Sequence, residues 1–381
     1  MVLACSAIEF EAMGPRSAAL DQGHGMTEIR STGSMGNGLF ATKHIPRATQ
    51  VLDEVPVLAI PASSELDPDD DIPAFCTALQ HLFRTEWKRL DDLHCNTALI
   101  TPARRATIRQ WYKDKGITDN NGDTLKGKKL QDAAKATTKR FAIFLTNRVQ
   151  MGAQGLYGSG VFPLYSRINH SCVPNVHNAY NPGTQRLTLY SIRDIGAGEQ
   201  ITTSYISSAC RTRQQRREET ENWGFVCSCL ACTDTSIDLL RQRMFELDQR
   251  LAAYESPWQR RMDLRTSPLA RMLAPAMPSS VKGALQDAEQ LAELLKRQGL
   301  EGMELCKTYR ECSKYSLKLG STEKAMYYAR KELDIERCCI GTETAHLQKD
   351  MEGAEYWLAH LEHLCGGTGN SGEVKGELII V

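Results

Sequence analysis

Apolar residues are spaced in different ways along this chain, and each spacing predicts a different element. Near the start they come in short runs. Thr27 to Ser31 reads as a strand, followed by the glycine-rich turn Gly33-Ser34-Met35-Gly36-Asn37-Gly38. Leu39-Phe40-Ala41 and Val51-Leu52 then read as paired short strands, with Ile45-Pro46 and Arg47 to Gln50 as the turn between them. A further strand is predicted over Val55 to Ile60, closed by Pro61 and the acidic run Glu65 to Asp71. From Ile72 to Asn147 the spacing is helical: Ala78, Leu79, Leu82, Phe83 and Trp87 recur on one face, and Phe141, Phe144 and Leu145 repeat the pattern over Thr137 to Val149. The polar loop Thr118 to Gly127 interrupts it. Strand character returns at Leu187 to Ile192 and Gln200 to Tyr205, and Asn181-Pro182-Gly183 predicts a hairpin turn. Beyond residue 233 the chain reads as helical, with an amphipathic stripe of Leu285, Ala288, Leu291, Ala292 and Leu295. Leu319 to Ala329 has the pattern of one tetratricopeptide-type helical hairpin. Residues 1–25 and 366–381 lack periodicity and are expected to be loosely ordered.

Composition narrows the class. The 381 residues have room for two domains, or for one with a sizeable helical extension. An apolar content of 41% is that of a globular chain, not a disordered one. Basic and acidic residues balance at 46 each, so the field of the whole molecule will not hold a polyanion. A local patch would have to do so, and Arg104 to Arg140, with eleven basic and four acidic residues, is the candidate for an acidic surface such as nucleosomal DNA. A charged helical face is its plainer reading. The run Arg211, Arg213, Arg216 and Arg217 is followed by Glu218, Glu219 and Glu221, and reads as a solvated helix. Neither a secretory leader nor an apolar run of the ~18 residues that span a membrane is evident. Thirteen cysteines in no framework pattern point to a reduced intracellular protein, nuclear or cytoplasmic, in which clustered thiols hold metal.

Such a cluster exists in Cys227-Ser228-Cys229-Leu230-Ala231-Cys232. Structural zinc takes a tetrahedron of soft ligands, so three cysteines from one tight turn require a fourth from elsewhere; packed free thiols are the alternative. Two further segments carry unusual polar chemistry: Arg167-Ile168-Asn169-His170-Ser171-Cys172-Val173-Pro174-Asn175, and Gly198-Glu199-Gln200-Ile201 leading to Tyr205. On their own, a His before Ser and Cys is a satisfied core residue or a metal ligand, and a strand Tyr is core packing.

Taken together and in order, these segments resemble the SET-domain protein-lysine methyltransferases. The long helical tail is most similar to the SET-and-MYND branch and its fungal relatives. The likeness covers residues 26 to 233, and it departs in one respect. The insert offers only Cys76, His81, His94 and Cys95, too few for the MYND zinc module. The resemblance implies an α+β fold of small curved sheets, with the Asn169-to-Asn175 strand threaded as a pseudoknot. It implies S-adenosylmethionine bound by Gly36, Asn37, Gly38, Asn147, Ser166, Asn169, His170, Tyr205, Trp223 and Phe225. Each has a plainer reading beside it: a hairpin turn for the glycines, a helix cap for Asn147, packing against a metal knot for the aromatics. The resemblance also makes Cys172 the fourth ligand of a structural Zn²⁺ with Cys227, Cys229 and Cys232.

Tyr205 is the expected catalytic residue. A free lysine titrates near ~10.4 and is a poor nucleophile at neutral pH until burial disfavours its charge. Alignment of amine, methyl and sulfur is then the remaining work, and a phenol can orient the amine. The expected organisation is a SET domain over 26–206 with a helical insert at about 62–146, a zinc-binding segment at 207–233, and a tetratricopeptide-like helical domain at 234–365. The expected substrate is a lysine of a histone or another protein, with further partner docking on the C-terminal helices and no membrane contact. The alternatives are a non-catalytic scaffold, or the same fold turned to a small molecule.

Overall fold

A computed structural model describes residues 25–62, 67–119, 121–152, 155–221, 223–256, 277–342 and 353–366. The loosely ordered ends expected from the sequence lie almost wholly outside these residues.

Three small sheets form the first half. Strands β1 (Thr27–Ser31), β2 (Asn37–Ala41), β3 (Gln50–Glu54), β4 (Leu58–Ile60), β5 (Arg148–Gln150), β6 (Ser159–Val161), β7 (Asn169–His170), β8 (Val176–Asn181), β9 (Arg186–Ser191) and β10 (Gln200–Thr203) pair in the orders β1-β2-β10-β7, β3-β9-β8 and β4-β6-β5. The β1–β2 hairpin closes Ser31 on Asn37. Its turn needs Gly33 and Gly36, which stand at φ +73° and +74°, where a Cβ is strained.

Two expectations are corrected here. β2 and β3 do not pair with each other. Ile45, fully buried between them, exchanges both backbone hydrogen bonds with Ile195 at 2.9 Å, and this turns the chain away so that β3 pairs with β9. The Asn169-to-Asn175 segment is a strand only at Asn169 and His170, which run parallel to Thr202 and Thr203; the rest is irregular, held to β10 by the backbone N–H groups of Ser171 and Asn175 and by the Asn175 side chain. The hairpin predicted at Asn181-Pro182-Gly183 forms, joining β8 to β9.

The insert is helical, with α1 (Ile72–Gln80), α2 (Arg84–Asp91), α3 (Pro102–Asp114) and α4 (Gly127–Asn147). Phe75 packs on Phe141 and Phe144, with ring centroids 5.1 and 5.3 Å away. Helix α4 ends at Asn147 and passes directly into β5, so the insert's core sets the position of that strand.

Helices α5 (Arg213–Glu221), α6 (Leu230–Thr233), α7 (Asp238–Glu255), α8 (Val281–Arg297), α9 (Met303–Lys318), α10 (Thr322–Ile340) and α11 (Ala354–Gly366) complete the chain. The predicted stripe on α8 is buried and shares one core with Ile192 and Cys210 of the first half. Helix α10 packs on β8 and β9: the Cys338 thiol donates to the Ser191 carbonyl at 3.4 Å, and Arg47 pairs with Asp334 at 2.9 Å. Among the described residues no helix is long and apolar enough to cross a membrane.

Candidate active site and metal centre

Asn175 organises the site. It is 1% exposed, and its Nδ2 donates to the Gln200 carbonyl at 2.9 Å and to Glu199 Oε1 at 3.1 Å. Its Oδ1 accepts from Thr202 N at 2.8 Å, and its backbone N–H donates to the Thr202 carbonyl at 3.1 Å. One amide side chain thus pins the turn after β7 to β10. Burial works to raise the carboxyl pKa of Glu199, but Arg193 and the Gly196 N–H outweigh it and hold the group below its usual range.

The same pin sets Tyr205, which lies just past β10 and not within it as the sequence pattern predicted. Its backbone N–H donates to His170 Nδ1 at 3.0 Å, and its hydroxyl donates to the Ile168 carbonyl at 2.5 Å. Burial, reinforced by Tyr165, pushes its ionisation upward, so the group stays a neutral phenol. The ring packs on Trp223, His170 and Phe225, with centroids 5.1, 5.4 and 6.2 Å away.

His170 is buried, and burial lowers its pKa to about 4. A neutral ring that accepts at Nδ1 must carry its proton on Nε2, which lies 3.3 Å from Cys172 Sγ. His170 is therefore a bridge between the tyrosine and the cysteine cluster and not a proton acceptor for a substrate.

A cleft of about 1110 Å³ opens beside Tyr205. Asn147, Ser166, Tyr205 and Trp223, all singled out from sequence, line it together. Asn147 Nδ2 donates to the carbonyls of His94 and Ile143, both at 2.8 Å, and Ser166 Oγ to that of Phe162 at 2.8 Å. Gly36, Asn37, Gly38, Asn169, His170 and Phe225 are not in its wall. Asn169 donates to the Asn37 carbonyl at 3.2 Å. At Gly38 a Cβ would lie 2.5 Å from Gln200 Nε2 and 3.1 Å from Asn169 Nδ2, so this glycine admits protein side chains.

Sequence reading missed two residues here. Tyr165 lines the cleft and donates to Asn178 Oδ1 at 3.0 Å. Glu54 is a fully buried carboxylate that receives the Leu164 and Tyr165 N–H groups at 2.8 and 2.9 Å, so it sets the turn leading to Ser166. An acidic residue at an inward position of β3 was the available signal.

The cysteine cluster assembles as the resemblance implied. The Sγ atoms of Cys172, Cys227, Cys229 and Cys232 all lie within 4.8 Å of one another. Cys172 stands 3.5 Å from Cys232 and 4.0 Å from Cys227. A tetrahedron with zinc–sulfur bonds of about 2.3 Å has edges of about 3.8 Å, so the donor set fits a zinc ion. Hydrogen bonds from Cys172 lower the pKa of Cys229 and bring that of Cys232 to about 6, while Cys172 itself is pushed far up, chiefly by Cys227. Helix α5 exposes Gln214, Arg217, Glu218 and Glu221, as its charge pattern predicted, but one arginine of the run departs from it. Arg216 points inward, fully buried, with Nη2 2.8 Å from the Ala231 carbonyl and 3.8 Å from Cys232 Sγ.

Comparison with known proteins agrees with this geometry. The SET domain family profile matches residues 36–206. A histone-lysine N-methyltransferase SET5 from Scheffersomyces stipitis is 42% identical over 77 residues, 20% of this chain and 16% of that one. A protein-lysine N-trimethyltransferase SMYD5 from Danio rerio is 41% identical over 78 residues, 20% of this chain and 19% of that one. The matched stretch is thus under a fifth of either relative's length. A solved structure of the LSMT SET domain with lysine and AdoHcy aligns over 91% of this chain and 92% of that one, at 16% identity and a TM-score of 0.35, too low to establish equivalence. By the family profile match, residues 36–206 of this chain are a SET domain.

Proposed function

We propose that this chain is an S-adenosylmethionine-dependent methyltransferase whose acceptor is a protein lysine, with Zn²⁺ in the cysteine cluster as a structural ion. The observation that carries the reading is Tyr205: a neutral phenol on the cleft wall, fixed at both its backbone and its hydroxyl. S-adenosylmethionine, when bound, supplies a methyl group on a positively charged sulfur. Asn147, Ser166 and Trp223 on the cleft wall would hold it.

The chain's own part is positioning. Because the Tyr205 hydroxyl proton is committed to the Ile168 carbonyl, its oxygen faces the site as an acceptor. It can orient an amine N–H and favour positive charge at the transferring carbon. It does not take the proton, since burial keeps it from ionising. A lysine entering between Tyr205, Tyr165 and Trp223 is stripped of water, which favours its neutral, nucleophilic form.

The names of the relatives motivate histones as the first substrates to try. The decisive experiment incubates the protein with methyl-labelled cofactor, core histones and a cell extract. Label on lysine, lost in Tyr205→Phe with cofactor binding retained, supports the reading. Absence of label on any protein from the unmodified chain, with cofactor bound, would favour a binding scaffold instead.

A further inference from the structure

Two arginines lie fully buried behind the cysteine cluster, Arg216 on α5 and Arg241 on α7, each 0% exposed. An arginine cannot shed its charge in a protein, and a buried charge needs a counter-charge close by. Among the described residues neither has a carboxylate within ion-pair distance. Their hydrogen bonds go to neutral groups instead. Arg216 donates to the carbonyls of Arg211 at 2.9 Å and Ala231 at 2.8 Å. Arg241 donates to the Ala209 carbonyl at 3.1 Å and to Gln298 Oε1 at 3.3 Å. One N–H of each, Arg216 Nε and Arg241 Nη2, finds no partner. Arg216 Nη2 stands 3.8 Å from Cys232 Sγ; burial first and then Arg216 press the pKa of Arg241 down to about 10, and negative charge on Cys172 and Cys229 works against that shift.

The charges of this arrangement balance. Four thiolates around one divalent cation carry a net charge of −2, and two guanidiniums carry +2. We propose that Arg216 and Arg241 are the counter-ions of a four-thiolate metal centre, so that the half-buried cluster and the two buried arginines form one electroneutral unit. The inference rests on the four cysteines holding a divalent cation. It also assigns a role to α7. By carrying Arg241 from the C-terminal helices toward the knot, and by bonding Ala209 and Gln298, that helix ties the metal centre to the tail. Both arginines are positioning residues that act through the sulfurs.

Metal affinity tests this without reference to methyl transfer. The as-purified chain should contain one zinc; an unmodified chain without zinc overturns the metal reading itself, whatever the arginines do. Given zinc, competition with a chelator should show Arg216→Met and Arg241→Met binding it about ten- to a hundredfold more weakly, the range for outer-sphere partners of metal ligands. Arg216→Lys, which keeps the charge, should stay within a few-fold of the parent. Arg250→Met, which breaks a half-buried ion pair with Asp287 on α8, is the control and should leave affinity unchanged. With cobalt in place of zinc, the thiolate-to-metal absorption should move to lower energy in the Met variants. Parental affinity in both Met variants overturns the proposal. If Arg216→Met does not fold, a loss in Arg216→Lys as large as that expected for Met overturns it equally, because packing and not charge would then be at work.

Discussion

His170 holds Tyr205 by its backbone: the Tyr205 N–H points at His170 Nδ1, 3.0 Å away, while the far nitrogen of the same ring touches Cys172 Sγ at 3.3 Å. The residue nearest the proposed chemistry and the cysteine cluster are thus separated by a single imidazole. Damage to the cluster should reach the cleft through this ring.

Removing the Tyr205 hydroxyl tests the chemistry at its smallest scale. Tyr205→Phe keeps the ring stacking on Trp223 and loses the oxygen that faces the acceptor. Turnover should fall by about a hundredfold or more, the typical loss for one preorganised polar group at a reacting centre. Cofactor affinity by calorimetry should change little. Parental turnover in this variant excludes the assigned role.

Asn175→Ala leaves the Thr202 N–H, the Gln200 carbonyl and Glu199 each short of a partner in the interior. Stability in a denaturant titration should drop by about 2–4 kcal/mol, the cost of stranding buried polar groups. A loss below about 0.5 kcal/mol would mean that the turn after β7 is held by other contacts.

Zinc removal should be visible from within the cleft. Trp223 packs on Tyr205 and precedes Cys227 by four residues in the chain, so chelation should alter that part of the tryptophan emission which Trp223→Phe abolishes. Cys172→Ser should give the chelated spectrum and a lowered melting temperature even with zinc present. Emission indifferent to chelation in a zinc-loaded sample would separate the two halves of the site.

Glu311 on α9 gives a prediction in pH. Burial first, then the neighbouring Glu255 and Asp248 of α7, raise its pKa above the usual carboxylate range to about 7, against the weaker pull of Lys314 and Lys307. The folded chain then holds a proton that the unfolded chain has already released between about pH 4.5 and 7. Its contribution to stability is therefore full below the unfolded pKa and fades as pH rises through 7. Glu311→Gln should stabilise the protein at pH 8 by about 1–3 kcal/mol and have little effect at pH 4.5, as read from thermal melts. Equal effects at both values would show that the carboxyl is not protonated on folding.

Much of the site was legible in local spacing. Cys227, Cys229 and Cys232 lie on one turn, so their common purpose needs no tertiary knowledge. The helical period of α4 and the stripe on α8 report burial directly, because a helix repeats its inward face in sequence. Asn147, Ser166, Tyr205 and Trp223 could be named from resemblance and do share one cleft. Arg216 was misread for a related reason. A run of arginines before glutamates describes average polarity, and one inward-pointing member does not disturb that average.

What the chain's order of residues settled, then, is local: which segments coil, which extend, where thiols cluster, and which polar residues are too unusual to be packing. Which segments meet was decided by tertiary structure. Ile45 pairs with Ile195 and sends β3 to β9, Glu54 reaches the turn before Ser166, and Arg241 reaches from α7 to the Ala209 carbonyl and to Gln298. Each of these depends on burial of a group whose partner lies far along the chain. Periodicity records the environment of a residue's near neighbours, whereas a buried charge or a lone bridge is satisfied only once the fold has closed around it.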